Sequence, residues 1–238
     1  MTTGDKLKDD LSNYDPTKYE NPSVTVDICI CTIKDDDLKI LLIKRKYPPF
    51  RNCWAIPGGF VEIAKKENLY QTACRELQEE TGISGVWIEQ LKTYGTVDRD
   101  PRKRVITVVY YALIPWKELE KQHIEAADDA KEYYWFSLFK LPKLAFDHET
   151  ILKDLTIRLE GKISYTPLAF NLLPKIFTWN DLQKVYEIIL QKGLITANFR
   201  RKINSLYQLK ELKSAKIDDG PGRPAVLLIY NGEKNLDE

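Results

Sequence analysis

Residues 58–83 read GGFVEIAKKENLYQTACRELQEETGI, and the rest of the chain is organised around them. Two glycines after Pro57 permit a close backbone approach and a sharp entry into the next element. Leu69, Ala73 and Leu77 recur at i, i+4 and i+8. This spacing predicts a helix from about Asn68 to Thr81 with one buried stripe, ended by Gly82 at the C′ position. On such a helix Glu76, Glu79 and Glu80 fall at i, i+3 and i+4 and share one side. Like charges stacked in this way repel by roughly a few tenths of a kcal/mol per pair. A hard divalent ion such as Mg²⁺ or Mn²⁺ turns that repulsion into binding and leaves coordination positions for phosphate and water. A solvated acidic face has the same spacing, and the glycine pair is what favours a site.

The stretch resembles the Nudix box on Gly59, Glu67, Arg75, Glu76, Leu77, Glu79, Glu80, Gly82 and Ile83, preceded by Trp54-Ala55-Ile56-Pro57-Gly58. It departs in one respect: seven residues separate Gly59 from Glu67, two more than is usual in that family. The resemblance implies an α/β/α sandwich with a mixed sheet. It also implies that Glu76, Glu79 and Glu80, with the Gly59 carbonyl, ligate Mg²⁺ or Mn²⁺ on a pyrophosphate, and that Glu67 and Arg75 brace the loop against the helix.

With 238 residues, 43% hydrophobic and 30% charged, the chain has room for one large or two smaller globular domains. The net charge of +1 hides an asymmetry: from Gly161 onward there are twelve Lys and Arg against eight Asp and Glu, a bias compatible with nucleic acid. Cys29 and Cys31 share one face of an expected strand as small core residues, and no CxxC pair or Cys/His cluster suggests zinc. His123 and His148 form no metal spacing. The absence of a long apolar run or signal pattern makes a cytoplasmic location without membrane contact the expectation.

In chain order, residues 1–22 read as a polar arm that packs through Tyr14 and Tyr19. Strands are expected at Val24–Ile33, Leu38–Ile43, Val86–Thr96, in the second half of Asp98–Ile114, and at Glu132–Phe136. Lys34-Asp35-Asp36-Asp37 reads as a solvated hairpin tip. Arg45 and Arg51 precede the box, and Arg99, Arg102 and Arg104 sit in a charged turn. Such residues suit phosphate or ribose, or simply a solvent-facing loop. Asp147 reads as the N-cap of a helix from His148 to Glu160 that Gly161 stops. The expected class is α+β, with one domain over 23–160 and a second over 161–238.

The second domain opens with the capping box Thr178-Trp179-Asn180-Asp181 and a helix carrying Leu182, Val185, Tyr186 and Ile189. Lys192-Gly193 breaks it. A second helix, about Ala197 to Leu209, turns Phe199, Ile203 and Leu206 inward and leaves Arg200, Arg201, Lys202, Asn204 and Gln208 outside. Strands at Lys216-Ile217 and Ala225–Tyr230 make a hairpin with Arg223 at its tip. Helix, turn, basic helix and wing match a winged helix-turn-helix, whose Arg, Lys, Asn and Gln side chains reach phosphates and base edges. A small interaction domain with a charged surface is the competing reading.

A Nudix domain followed by a winged helix resembles the Nudix-related transcriptional regulators of the NrtR group. LLIKRKYPPFRNCWAIPGGFV, GTVDRDPRKRVITVVYYALI, LAFDHETIL and AFNLLPKIFTWNDLQKVYE carry the likeness, with NFRRKI and GRPA. It implies a homodimer on operator DNA whose Nudix domain senses ADP-ribose or a sugar or sugar-phosphate metabolite. Some members of the group keep hydrolysis and others have lost it. The alternative is therefore a Mg²⁺-dependent hydrolase of ADP-ribose or a related nucleoside diphosphate sugar.

Overall fold

The β-branched run around Cys29 and Cys31 forms the central strand of a mixed sheet. The computed structural model describes residues 14–121, 130–217 and 225–234. Strand β1 (Ser23–Lys34) returns through a two-residue turn to β2 (Asp37–Arg45). Asp35 and Asp36 hold positive φ of 51° and 56° there, the geometry a tight hairpin demands. Two short strands follow, β3 (Trp54–Ala55) and β4 (Gly58–Phe60). After helix α1 (Leu69–Thr81) come β5 (Ile88–Tyr94) and β6 (Val105–Leu113). A short helix α2 (Trp116–Leu119) and strand β7 (Ala130–Ser137) complete the unit. The sheet runs β3-β2-β1-β6-β5, with β4 on β1 and β7 on β2. β1 and β6 are parallel, from Ser23↔Val105 to Cys31↔Leu113, and the other pairs are antiparallel.

Side chains alternate across this sheet. Val26, Ile28 and Ile30 pack with Ala73 and Leu77 of α1 on one face. Cys29 and Cys31 pack on the other with Ile151, Leu152 and Leu155 of α3 (His148–Lys162). Both thiols are reduced and buried, and burial pushes them well above their ordinary range.

Beyond α3, a 3-10 turn (Pro167–Leu172) leads to β8 (Phe177–Thr178), α4 (Trp179–Leu190) and α5 (Thr196–Leu206). β9 (Tyr207–Ile217) and β10 (Ala225–Lys234) follow, in the order β8-β10-β9. The Thr178 capping box is formed in both directions: Asp181 N–H donates to Thr178 Oγ1 and Thr178 N–H to Asp181 Oδ2. The core on the α3 face continues without a break through Leu168, Leu172, Phe177, Leu182 and Ile189 to Phe199 and Ile203. The hairpin tip reaches the same region, where Lys184 Nζ of α4 lies 2.6 Å from Asp36 Oδ1.

The α+β architecture expected from the sequence is the one observed, with local differences. The second helix ends at Leu206, and Gln208 lies in β9. Tyr207 turns extended at φ −138° because β9 pairs with β10 from Tyr207↔Lys234 onward, so a sheet ladder overrides the helical spacing. Asp147 occupies the N-cap position of α3 without a capping bond, since its carboxylate is engaged elsewhere. Gly161 does not stop that helix, which runs to Lys162. Tyr14 and Tyr19 are exposed rather than packed, and residues 1–13 of the arm lie outside the described residues.

Candidate ligand site and nucleic-acid interface

Asn68 caps α1 and exchanges bonds with Gln71, while Gly82 closes it at φ 73°. The helix is docked by Ala73 and Leu77 and buries Glu76 and Glu80 beside them. Glu79 is half-exposed. The three carboxylates share a side of the helix but not a depth: a step of three residues and a step of four rotate about a helix in opposite senses, so Glu79 and Glu80 diverge.

Arg75 holds this region together. Its Nε donates to Glu67 Oε2 at 2.8 Å, and its Nη1 to Glu76 Oε1 at 2.7 Å and Glu79 Oε2 at 2.8 Å. Burial works against the Arg75 charge, and the three carboxylates more than restore it, raising its pKa. Burial pushes the Glu76 carboxyl up, against the pull of Arg75. The bond from Arg75 holds Glu79 below its ordinary value. The long spacer after Gly59 folds into a 3-10 turn, Ile63–Lys65, closed by Lys66 at φ 52°. It carries Lys65 to within 3.4 Å of Glu79 Oε1.

Both glycines are sites of close approach. The Gly58 N–H donates to Glu80 Oε2 at 2.8 Å. A Cβ on Gly59 would lie 2.4 Å from Glu76 Oε2. Hard carboxylate oxygens beside a loop without side chains are the donor chemistry that Mg²⁺ or Mn²⁺ takes. Among the described residues, however, no three His, Cys, Asp or Glu side chains converge as a ready metal cluster. Arg75 and Lys65 draw Glu76 and Glu79 to themselves.

A cavity of about 260 Å³ opens beside Gly58, Gly59 and Glu80. Arg45, Arg99 and Arg102 line it, whereas Arg51 and Arg104 do not. Arg45 Nε donates to the Pro49 carbonyl at 2.9 Å, and its guanidinium lies over the Phe146 ring. Arg99 is buried and forks onto Asp147 through two bonds of 3.0 and 2.8 Å. Arg102 pairs with Asp100 at 2.7 Å and faces the Phe60 ring. Burial raises the Asp100 carboxyl, and the bonds from Arg102 outweigh it, so it sits below its usual value.

The cavity also holds residues that sequence reasoning did not place there: Asp27, Phe146 and His148. One signal was available for Asp27, a lone acid inside the apolar run of β1. In the sequence, Asp147 and His148 carry only the signature of a helix start. Asp27 Oδ2 accepts from Thr107 Oγ1 at 2.7 Å. His148 Nδ1 accepts from the Ile56 N–H at 2.9 Å, and burial lowers its pKa to about 4.

In the C-terminal unit, α4 and α5 pack through Tyr186 against Phe199 at 5.1 Å. Glu187 pins the turn between them by accepting from Gln183 Nε2 and the Leu194 N–H. Phe199 and Ile203 are buried, which leaves Arg200, Arg201, Lys202 and Asn204 exposed on α5. The Arg200 guanidinium lies 5.3 Å from the Trp179 ring. Gln208 is exposed on β9, and Arg223 lies outside the described residues. Among the described residues no helix is long and apolar enough to cross a membrane.

Comparison with known proteins gives this geometry a context. The NUDIX domain family model matches residues 23–155, and the NrtR DNA-binding winged helix domain matches 169–228. The ADPR responsive transcriptional repressor NtrR of Acinetobacter baylyi is 38% identical over 222 residues, 92% of this chain and 86% of that protein. The ADP-ribose pyrophosphatase of Methanocaldococcus jannaschii is 46% identical over 147 residues, 62% of this chain and 79% of that protein. Shewanella oneidensis NrtR complexed with a 27mer DNA superposes with a TM-score of 0.74 at 33% identity, over 87% of this chain and 93% of that one. Its NUDIX domain complexed with ADP ribose gives 0.56 at 35% identity, over 67% and 99%. Nudix domains generally work with a divalent metal. The chain belongs to the Nudix family, in the group of NrtR-type transcriptional regulators that join a Nudix domain to a DNA-binding winged helix.

Proposed function

We propose that the protein is a homodimeric transcriptional repressor whose winged helix reads operator DNA and whose Nudix cavity takes ADP-ribose as the releasing signal. The observation that carries this reading is the exposed Arg200, Arg201, Lys202 and Asn204 face of α5, on a winged helix that shares one core with the cavity-bearing sheet. Arg45 and Arg102 serve the ligand's phosphates. Arg99 shapes the wall, because its fork is taken by Asp147 and its side chain is buried, whereas Arg102, although forked onto Asp100, keeps an exposed side. Two recognition helices in a dimer must match half-sites about 34 Å apart, so ligand that favours one spacing changes DNA affinity.

The test is selection of bound genomic fragments at moderate salt, since low salt inflates sequence-independent binding. Enrichment of a palindrome, released on titration with ADP-ribose, is expected. Arg201→Ala with Lys202→Ala should weaken operator binding about ten- to hundred-fold with an unchanged melting curve. Undiminished binding removes α5 as the reading element.

A second reading rests on Glu76 and Glu80, buried against the glycine loop, and on the likeness to an ADP-ribose pyrophosphatase. There the protein also hydrolyses its signal. Glu76, Glu79, Glu80 and the Gly59 carbonyl would hold Mg²⁺ or Mn²⁺, which supplies charge for the pyrophosphate and an acidified water. Glu80→Gln should abolish any release of AMP from ADP-ribose, and turnover that survives it places the chemistry elsewhere.

A further inference from the structure

The wall of the small cavity presents one donor and one acceptor, on two buried residues, that the protein itself leaves open to the cavity. His148 is 3% exposed and Asp27 8%. The Ile56 N–H occupies Nδ1 of His148, so the neutral ring carries its proton on Nε2. Among the described residues, that Nε2–H has no acceptor. Asp27 Oδ2 is taken by Thr107, with Arg99 Nη2 at 3.8 Å. Oδ1 has no donor among the described residues. It faces the place where a Cβ on Gly58 would lie, at 2.6 Å, so glycine there keeps the oxygen uncovered.

Polar atoms that face only a cavity are met by water until a ligand displaces it, and a ligand that does not replace those bonds loses affinity. A site that keeps one of each sign against the same cavity is built for a group that completes both. A phosphate oxygen completes only the donor and is repelled by the carboxylate. A hydroxyl does both, donating its hydrogen to one atom and accepting at its oxygen from the other.

The geometry points to His148 and Asp27 as a hydroxyl-recognising pair that binds a sugar hydroxyl of the ligand, and this deepens the reading of the cavity as an ADP-ribose site and rests on it. Neither residue is part of the box helix, and both are set by structure around it: β1 carries Asp27, and the start of α3 carries His148. The pair gives the cavity a preference for the polyol part of its ligand, separate from the arginines that suit its phosphates.

The test is calorimetric titration of the full chain with ADP-ribose and with analogues that each lack one ribose hydroxyl. On the wild-type protein, one analogue is expected to bind about ten- to hundred-fold more weakly than ADP-ribose. His148→Asn keeps an acceptor for the Ile56 N–H and withdraws the donor at the Nε2 position. It should lose a similar factor for ADP-ribose and bind that analogue no more weakly than ADP-ribose. The analogue series needs no substitution, so it stands even where the variant fails to fold. Analogues that all bind the wild type as ADP-ribose does overturn the pair, as does His148→Asn binding ADP-ribose at wild-type strength. Wild-type protein that binds no ADP-ribose overturns the functional reading and the pair with it, a result distinct from either.

Discussion

Gly58→Ala is expected to lower the unfolding free energy by about 3 kcal/mol, and Gly59→Ala, one residue on, by about 1 kcal/mol. The difference lies in what each new methyl group meets. At Gly58 it would stand 2.3 Å from the Val26 carbonyl oxygen and 2.7 Å from Asp27 Cα. Both are backbone of the central strand, which pairs with β4 at Asp27↔Gly58 and cannot retreat without breaking the sheet. At Gly59 the obstacle is the Glu76 carboxylate, at 2.4–2.6 Å. A side-chain end can swing away, at the loss of its bond to Arg75. Gly59→Ala should therefore fold and disturb the carboxylate site, whereas Gly58→Ala should fold poorly. Urea unfolding of the two variants checks this, and equal losses contradict the account of the loop.

Acid should weaken the fold through His148. Its pKa is about 4 in the folded chain against an ordinary 6.5. Burial is the main cause. Asp27 opposes it, and the Arg99 and Arg45 charges add to it. The unfolded chain binds the proton first, so the stabilisation is complete above about pH 6.5 and is lost as pH falls toward 4. A shift of this size corresponds to roughly 3 kcal/mol. Carboxylates titrate over part of the same window, and the contribution of the histidine is isolated by comparing wild type with His148→Asn. Unfolding free energies measured between pH 7 and pH 4.5 should fall more steeply for the wild type. Parallel slopes would remove His148 as the source.

How much of this could be read from residues alone depended on the range of the interaction. Local patterns carried through: the alternation that sends Cys29 and Cys31 to one face, the stripe of α1, and the Thr178 capping box are each decided within a few residues. The end of α5 was not local. Its spacing continues into Leu209, but β10, some twenty residues on, claims Tyr207 and Leu209 for a ladder. The cavity was the least legible part. Arg45, Arg99 and Arg102 share the right chemistry with Arg51 and Arg104, and only the folded chain brings the first three to one wall. Asp147 has a side chain suited to capping, and the stronger partner, Arg99, comes from a turn 48 positions away. His148 carries no spacing that could announce it.

The hydrophobic core that passes unbroken from the sheet into the winged helix makes the DNA-reading head a dependant of the rest. Leu168, Leu172 and Phe177 bury themselves in the same cluster as Leu155 and Leu159 of α3, so a head cut away just after α3 would bare them to water. Amide protons in α4 should then exchange through the same opening event as those of the central strand. Whatever binds the cavity stabilises both parts together, by an amount set by its concentration over its dissociation constant. Damage to either part becomes damage to the regulator as a whole, and an unliganded, thermally stressed protein would loosen its grip on DNA and its shape in one transition.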